Sequence, residues 1–482
     1  MENQILNDAL LVYPNPSQDS PVKGTALSIF YVGAAAEKAG LEIDYVDERF
    51  DGKERVKELL DQYKPAVIGV SSMTGYQLQE TLRIFQYVKD NHRNIKTVLG
   101  GVHGSLLPEE CVKEDLIDFV VVGEGEETFT ELVLEVKGSE DYGKIPGIYW
   151  KKNGKIVKNE ERPFLSAKDW PFPMTEKNKK YFRLSAEAGE LFYLSSRGCP
   201  YRCRFCYNII FNRRKWRLMP FDKFQREIRT LHDEFKFKYL FLNDDNVGSN
   251  IKRLREISLF LNSLGLKWGS CIRANDVTRE SITIMAANGC DRFLLGVETG
   301  SERILRDVIC KDLPNGIQDV RNAVETIASS PIKPTYSFMC NIPTETEVEL
   351  KQSMDFADWI HKTDPKARLG FYVYAPYPGT QLFYESQKMG YKMPSNVQEW
   401  SRMSLSNSEN LIAENLYYIS GLKFRGDISN VKFPGIRRLQ ILPFELLANI
   451  RWSFRFLKYY TLEKYLIKWL YRKALERIQQ KV

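Results

Sequence analysis

The run Arg197-Gly-Cys-Pro-Tyr-Arg-Cys-Arg-Phe-Cys-Tyr207 decides how the rest of the chain is read. It places three cysteines, Cys199, Cys203 and Cys206, in one short loop. Thiolates are the usual protein ligands of iron–sulfur clusters, and a four-iron cube ligated by three sulfurs keeps one iron open to another ligand. Other readings of the cysteines fit less well. A closed zinc site wants a second cysteine pair or histidine partners, yet His92, His103, His232 and His361 are isolated along the chain. A disulfide framework belongs to small exported chains. This chain has 482 residues, and its start, Met1-Glu-Asn-Gln, lacks the basic and apolar regions of a signal peptide.

The loop sits in a repeating pattern. Leu191–Ser195 reads as the strand that feeds it. Five more apolar runs follow: Lys238–Leu242, Trp268–Ile272, Arg292–Val297, Thr335–Met339 and Leu369–Tyr374. Each runs into a polar or glycine-containing word: Asn243-Asp-Asp-Asn, Arg273-Ala-Asn, Glu298-Thr-Gly-Ser, Asn341-Ile-Pro-Thr and Ala375-Pro-Tyr-Pro-Gly-Thr. Six strand–helix units predict a partial TIM-like barrel, with the chemistry at the carboxyl ends of the strands.

The first third has the same alternation with different punctuation. Ala9–Tyr13, Ile43–Val46, Ala66–Val70, Ile95–Leu99 and Phe119–Val122 read as buried strands, separated by helical stretches. Continuous apolar strands of this kind predict a doubly wound parallel sheet, which binds ligands beyond its carboxyl ends. There stand Ser71-Ser72, Gly100-Gly101 and Gly123-Glu-Gly-Glu126. From Ile145 to Asn159 the chain reads as a hairpin turning at Lys152-Asn-Gly-Lys155, and Trp170-Pro-Phe-Pro173 reads as a linker. The expected division is a Rossmann-like domain over 1–144, hairpin and linker over 145–188, the barrel over 189–400, and a basic, amphipathic helical region over 401–482.

Taken together these words resemble the radical S-adenosylmethionine (radical SAM) enzymes that carry a cobalamin-binding domain. The Cys-x3-Cys-x2-Cys loop with Phe205 before its last cysteine matches the cluster motif, and Gly296-Val-Glu-Thr-Gly300 and Pro376-Tyr-Pro-Gly-Thr380 match words of the barrel. Upstream, the matching words are Val67-Ile-Gly-Val-Ser-Ser-Met73, Leu99-Gly-Gly-Val-His-Gly-Ser105 and Val122-Gly-Glu-Gly-Glu-Glu127. The resemblance covers roughly residues 8–400. It implies a [4Fe-4S] cluster on Cys199, Cys203 and Cys206, with S-adenosyl-L-methionine on the open iron. It implies S-adenosylmethionine contacts from Asp244, Asp245, Arg273 and Glu298. It also implies cobalamin contacts from Ser71, Ser72, Gly100, Gly101, His103, Gly123, Glu124, Gly125 and Glu126. One departure stands out. The Asp-x-His-x-x-Gly word that supplies a histidine to cobalt is missing, because Pro14–Lys23 contains no histidine. The cobalt is therefore expected to have no histidine lower ligand. Cys271, Cys290, Cys310 and Cys340 are expected to pack as small apolar residues.

The net charge is +7, but residues 436–482 hold eleven Lys and Arg against three Glu, so the basicity belongs to the tail. Within it Leu462, Tyr465, Leu466, Trp469 and Leu470 share a helical face, with Lys464, Lys468, Arg472 and Lys473 elsewhere. Such a helix either lies on an anionic bilayer or docks on the barrel. Nucleic acid is not an expected partner, since no RNA-binding module is present. The expected location is the cytoplasm, with peripheral contact at the inner membrane face as the bilayer alternative.

The resemblance implies a methyltransferase. A 5′-deoxyadenosyl radical, formed by reductive cleavage of S-adenosylmethionine, would activate an unreactive carbon of a small or lipid-like substrate, which takes its methyl group from methylcobalamin. The reducing electron would come from an external flavodoxin- or ferredoxin-type donor. Ring formation, rearrangement or oxidation of a lipid, tetrapyrrole or natural product shares the same motifs. A sensor without turnover is the alternative of a different class.

Overall fold

The computed structural model describes residues 7–16, 24–403, 410–424, 438–458, 464–466 and 469. Its first sheet has seven strands: β1 (Ala9–Tyr13), β2 (Ile43–Asp47), β3 (Val67–Ser71), β4 (Lys96–Gly100), β5 (Phe119–Val121), β6 (Ile148–Lys152) and β7 (Lys155–Lys158). They lie in the order β2-β1-β3-β4-β5-β6-β7. The first five are parallel, as the apolar runs predict. Successive side chains leave opposite faces: Ala9 and Leu11 of β1 enter one core, and Leu10 and Val12 the other. The strand order reverses at β1 and β3, which makes their carboxyl ends the topological switch point where such sheets bind ligands.

The hairpin differs from its expected place in an interdomain linker. Its strands β6 and β7 extend the first sheet antiparallel to β5, and Asn159 accepts from the Trp150 indole at 3.1 Å. A hairpin with one apolar face is marginal alone, and the edge of β5 supplies the missing support.

The second sheet opens with β8 (Leu191–Tyr193). A two-stranded antiparallel ribbon, β9 (Ser196–Arg197) with β10 (Arg217–Leu218), then brackets the cysteine loop. Five more strands complete the sheet: β11 (Tyr239–Leu242), β12 (Lys267–Ile272), β13 (Cys290–Glu298), β14 (Lys333–Cys340) and β15 (Arg368–Val373). All six are parallel, in the order β15-β14-β13-β12-β11-β8, which is the expected six-unit open barrel. An open barrel has two bare edges that must be covered. The first domain covers β8, where Phe192 N–H donates to Thr25 Oγ1 at 3.1 Å. The helix Leu411–Lys423 covers β15, and Ser420 Oγ accepts from Phe371 N–H at 3.1 Å.

After the last barrel strand the chain returns to the first domain. Phe383, Val397 and Trp400 bury themselves among Leu78, Leu82, Cys111 and Val112. This strap belongs structurally to the first domain's core, where the sequence reading assigns it to the barrel. The helix Arg438–Ser453 then docks on the barrel through Trp452, whose ring lies 5.7 Å from Phe371 and 4.9 Å from Phe424. Of the amphipathic stretch expected at 462–473, only residues 464–466 and 469 are described, and Leu462, Lys468, Leu470, Arg472 and Lys473 lie outside the described residues. Lys464 pairs with Glu414 of the helix that covers β15 at 2.7 Å.

Candidate active site

The carboxyl ends of the two sheets face each other across one cleft with about 1170 Å³ of empty space, its open mouth included. The first domain's wall is built from what is missing at its glycines. A Cβ added to Gly100 would meet only the Val70 carbonyl oxygen, at 3.8 Å, and one added to Gly123 would meet nothing within 4 Å. The cleft continues as a slot into the sheet, where Leu11, Gly69, Val98 and Phe129 make an apolar end. Gly69 is required there, since a Cβ would stand 2.7 Å from the Phe129 ring and 2.9 Å from Leu11. A wide mouth with a narrow apolar slot suits a large flat cofactor with an extended tail, held by shape more than by charge. Cobalamin fits that description. The loop Pro14–Lys23, where a histidine ligand to cobalt would stand, lies largely outside the described residues.

Of the cobalamin contacts expected from sequence, Ser71, Gly100, Gly101, Gly123, Glu124, Gly125 and Glu126 line the cleft. Ser72 and His103 do not. Ser72 is buried and ties two strand ends together, its N–H donating to Gly100 O at 3.1 Å and its carbonyl accepting from His103 N–H at 3.1 Å. The His103 ring is fully buried under the strap, 6.0 Å from the Trp400 ring, with Nδ1 2.9 Å from Thr74 Oγ1. Burial pushes its pKa down to about 3, so it is neutral. It packs in the core, where the sequence reading expects a cofactor contact.

Glu124 and Glu126 line the cleft, but their carboxylates are engaged by the barrel domain. Arg197 Nη1 donates to Glu124 Oε1 at 2.8 Å, and its Nη2 lies 2.8 Å from Glu126 Oε1. Arg217 Nη1 lies 2.8 Å from both Glu124 oxygens. The Arg197 guanidinium is sandwiched 4.6 Å from the Tyr31 ring and 4.4 Å from the Trp170 ring. Burial works to lower the pKa of Arg197, but the Glu126 and Glu124 carboxylates outweigh it and hold the group above its ordinary value.

Opposite stands the cysteine loop. Its three thiols are free, and Cys203 Sγ accepts from Arg273 Nη1 at 3.0 Å. Burial raises the Cys199 thiol to about 11 and the Cys206 thiol to about 12. Metal ligation deprotonates such thiols outright. Among the described residues no three His, Cys, Asp or Glu side chains converge enough to hold a single ion. A cube makes no such demand, because each thiolate ligates a different iron. Three free thiols in one loop are the donor set that such a cluster takes.

The barrel words divide into those that face the cleft and those that build its wall. Asp245 lines the cleft, with Oδ2 accepting from Gly198 N–H at 3.0 Å. Asp244 does not reach it. Its carboxylate accepts from Ser195 N–H and Oγ at 2.6 Å each, and from Ser196 Oγ at 2.7 Å and N–H at 3.3 Å, so its lone pairs are used in pinning the end of β8. Arg273 stacks 3.8 Å from the Tyr201 ring and reaches Cys203 and the Lys311 carbonyl, which turns it toward the cysteine loop. Glu298, expected to contact S-adenosylmethionine, pairs with Lys311. The register of β13 slips at Gly296, and Glu298 adopts φ 73°, which folds its carboxylate back toward Gly296. A Cβ on Gly296 would stand 2.0 Å from Glu298 Oε1 and 2.8 Å from Lys311 Nζ. The Gly-Val-Glu word thus makes room for this buried ion pair.

Arg197, Arg217 and Lys311 are the functional residues that the sequence reading leaves without a role. The signal for the first two was diffuse: Arg197 precedes the cysteine loop and Arg213, Arg214 and Arg217 follow it with no acidic neighbour, while two glutamates alternate with glycines upstream. Lys311 gave none, since only the fold brings it to Glu298.

Comparisons with known proteins find the same two domains in the same order. The B12 binding domain model matches residues 19–133, and the Radical SAM superfamily model matches residues 193–357. An uncharacterized methyltransferase of Pyrococcus horikoshii is 29% identical, over 68% of this chain and 71% of its own. Cytidylyl-2-hydroxyethylphosphonate methyltransferase of Streptomyces wedmorensis is 23% identical, over 82% and 84%. Anaerobic magnesium-protoporphyrin IX monomethyl ester cyclase of Rubrivivax gelatinosus is 27% identical, over 69% and 60%. Two solved structures share the fold. The cobalamin-dependent S-adenosylmethionine radical enzyme OxsB matches with a TM-score of 0.71 and 16% identity, covering 99% of this chain and 80% of that one. The methyltransferase TsrM of Kitasatospora setae, with cobalamin and a [4Fe-4S] cluster bound, matches with a TM-score of 0.67 and 16% identity, covering 98% and 100%.

Proposed function

For a chain that belongs to the radical SAM enzymes with a B12 binding domain, we propose a methyltransferase that alkylates an unreactive carbon of a small molecule. The single observation that carries this reading is the shared cleft, which is lined at once by the first domain's glycines and by Gly198, Asn243 and Asp245 around the cysteine loop. When bound, the cluster and S-adenosylmethionine supply a radical that removes hydrogen from carbon, and cobalamin supplies the methyl group.

The chain's own residues position and enclose. Cys199, Cys203 and Cys206 hold the cluster, and Arg273 lays its charge against Cys203. Asp245 offers a carboxylate to the amino group of S-adenosylmethionine, a charge-assisted contact. The aromatic rings of Tyr207 and Phe211 close the barrel side and exclude water. No side chain is required to move a proton. The electron comes from an external flavodoxin- or ferredoxin-type donor. All eight cysteines are free, which suits a reducing cytoplasm.

The test is anaerobic. Reconstituted protein, reduced with S-adenosylmethionine and cobalamin, is expected to form 5′-deoxyadenosine, S-adenosylhomocysteine and methylcobalamin. Deoxyadenosine without the other two would favour cyclisation or rearrangement, the reading supported by similarity to the cyclase. Absence of all three, with a fully loaded cluster, would favour a sensor.

A lipid-like substrate is supported by one further observation. Leu442, Leu446 and Ile450 of the docked C-terminal helix and Phe454 just past its end recur every fourth residue and stand 48–80% exposed, with Tyr465 and Trp469 exposed further on. Among the described residues no helix is long and apolar enough to cross a membrane. Such a stripe in a basic tail suits the surface of an anionic bilayer. Flotation with phosphatidylglycerol vesicles, lost in Leu446→Ser/Phe454→Ser, is the expected result. No flotation of the unaltered chain would remove this part of the reading.

A further inference from the structure

The ribbon of β9 and β10 sets Arg197 directly opposite Arg217. Like charges facing each other across an antiparallel pair repel. What makes the pair tenable comes from the other domain. Glu124 lies between both guanidiniums, and Glu126 takes the second arm of Arg197. The four groups carry no net charge, and their side chains are only 4–14% exposed. The carboxylates alternate with Gly123 and Gly125, whose backbone lines the cleft, and Arg197 stands two residues before Cys199. One turn therefore makes room for the cofactor with its glycines and grips the root of the cysteine loop with its glutamates. Arg217 N–H groups extend the grip to Asn212 Oδ1 at 3.0 Å, on the far side of that loop.

We propose that Arg197 and Arg217 are positioning residues: clamped by Glu124 and Glu126, they set the cysteine loop of the barrel in a fixed place against the cobalamin-binding loops of the first domain. The inference rests on the reading that the cleft holds both cofactors. Its consequence is coupling. Two cofactors on separate domains serve one substrate carbon only if their separation is fixed, and misplacement by an ångström costs orders of magnitude in rate. Arginine is needed because its planar fork bridges two carboxylates, which the single ammonium of lysine does not.

The decisive variant is Arg197→Gln/Glu126→Gln. It removes one cation and one anion and leaves the Glu124–Arg217 pair balanced, so no buried charge is stranded. Arg197→Gln alone strands Glu126 and is expected to melt lower. The double variant is expected to regain most of that stability while the Arg197 arm of the clamp stays broken. In cofactor-free protein, amides of residues 198–207 and 122–126 are expected to exchange hydrogen about tenfold faster than in the unaltered chain. In protein loaded with cob(II)alamin and the reduced cluster, the magnetic coupling between the two centres is expected to be lost or broadened, with Arg197→Lys intermediate. Unchanged exchange, or a changed exchange with an unchanged coupling, would overturn the proposal. If the unaltered chain itself shows no coupling, the reading that one cleft holds both cofactors fails, and hydrogen exchange alone decides whether the clamp fixes the loop.

Discussion

At the ends of β4 and β5 the chain uses glycine, whereas at the ends of β11, β12 and β13 it uses charge that is buried or half-buried. Gly100 and Gly123 leave open space, and the slot behind them is lined by apolar side chains. Across the cleft, Asp244 saturates four donors, Glu298 pairs with Lys311, and Arg273 lies against Cys203. The difference follows from what each side must hold. A large cofactor rimmed by amides is recognised by shape and backbone contacts more than by side-chain charge, and a wall that holds it needs room. A small reactive cluster needs ligands that do not move, and fully satisfied buried polar networks provide that rigidity. The two walls should therefore fail differently when altered.

The largest effect is expected on the charged side at the metal ligands. Cys203→Ala should abolish cluster binding and 5′-deoxyadenosine formation while leaving cobalamin binding intact, as read by iron content, product assay and cobalamin absorbance. Loss of cobalamin binding as well would mean the two walls are not independent. On the glycine side, Gly100→Val has an allowed extended backbone, with φ −121°. It should leave melting nearly unchanged and weaken cobalamin binding by about 1–3 kcal/mol through steric overlap, or roughly 10- to 100-fold. Wild-type affinity in that variant would place the cofactor elsewhere.

Asp244→Ala should act on stability first. It strands the Ser195 and Ser196 N–H groups in a buried site, at a cost of about 3 kcal/mol in chemical denaturation. A change under 1 kcal/mol would show that the network is not what pins β8.

The last effect is absent at neutral pH, grows only on acidification, and is confined to the first domain. The folded His103 is held near pKa 3 by burial, whereas the unfolded chain takes up its proton near 6.5. Below pH 6.5 the unfolded state binds the extra proton, so stability falls with acidification, by about 1.4 kcal/mol per pH unit, until about pH 3. His103→Gln should remove that slope between pH 6 and 4. Equal slopes in both proteins would place the acid sensitivity in other groups.

What the sequence made legible follows the same division. Buried parallel strands are continuous apolar runs, so all eleven parallel strands and both sheets were readable from β1 onward. The cleft's glycines were readable because they punctuate strand ends. Roles of charged residues were not, because they depend on partners distant in sequence: Glu124 meets Arg197 across 73 positions, and Asp244 meets Ser195 across 49. Periodicity carries no such information. The strap was missed for a related reason, since Phe383, Val397 and Trp400 read as barrel periphery until Leu78 and Cys111 stand beneath them.

The central claim is that one cleft holds both cofactors. It is tested most directly by pulsed electron paramagnetic resonance of protein loaded with paramagnetic cob(II)alamin and the reduced cluster. The account expects magnetic coupling between the two centres, seen as faster relaxation of the cobalt signal that disappears in Cys203→Ala. Cobalt relaxation that is the same with and without a reduced cluster, in protein shown to contain both, would contradict it.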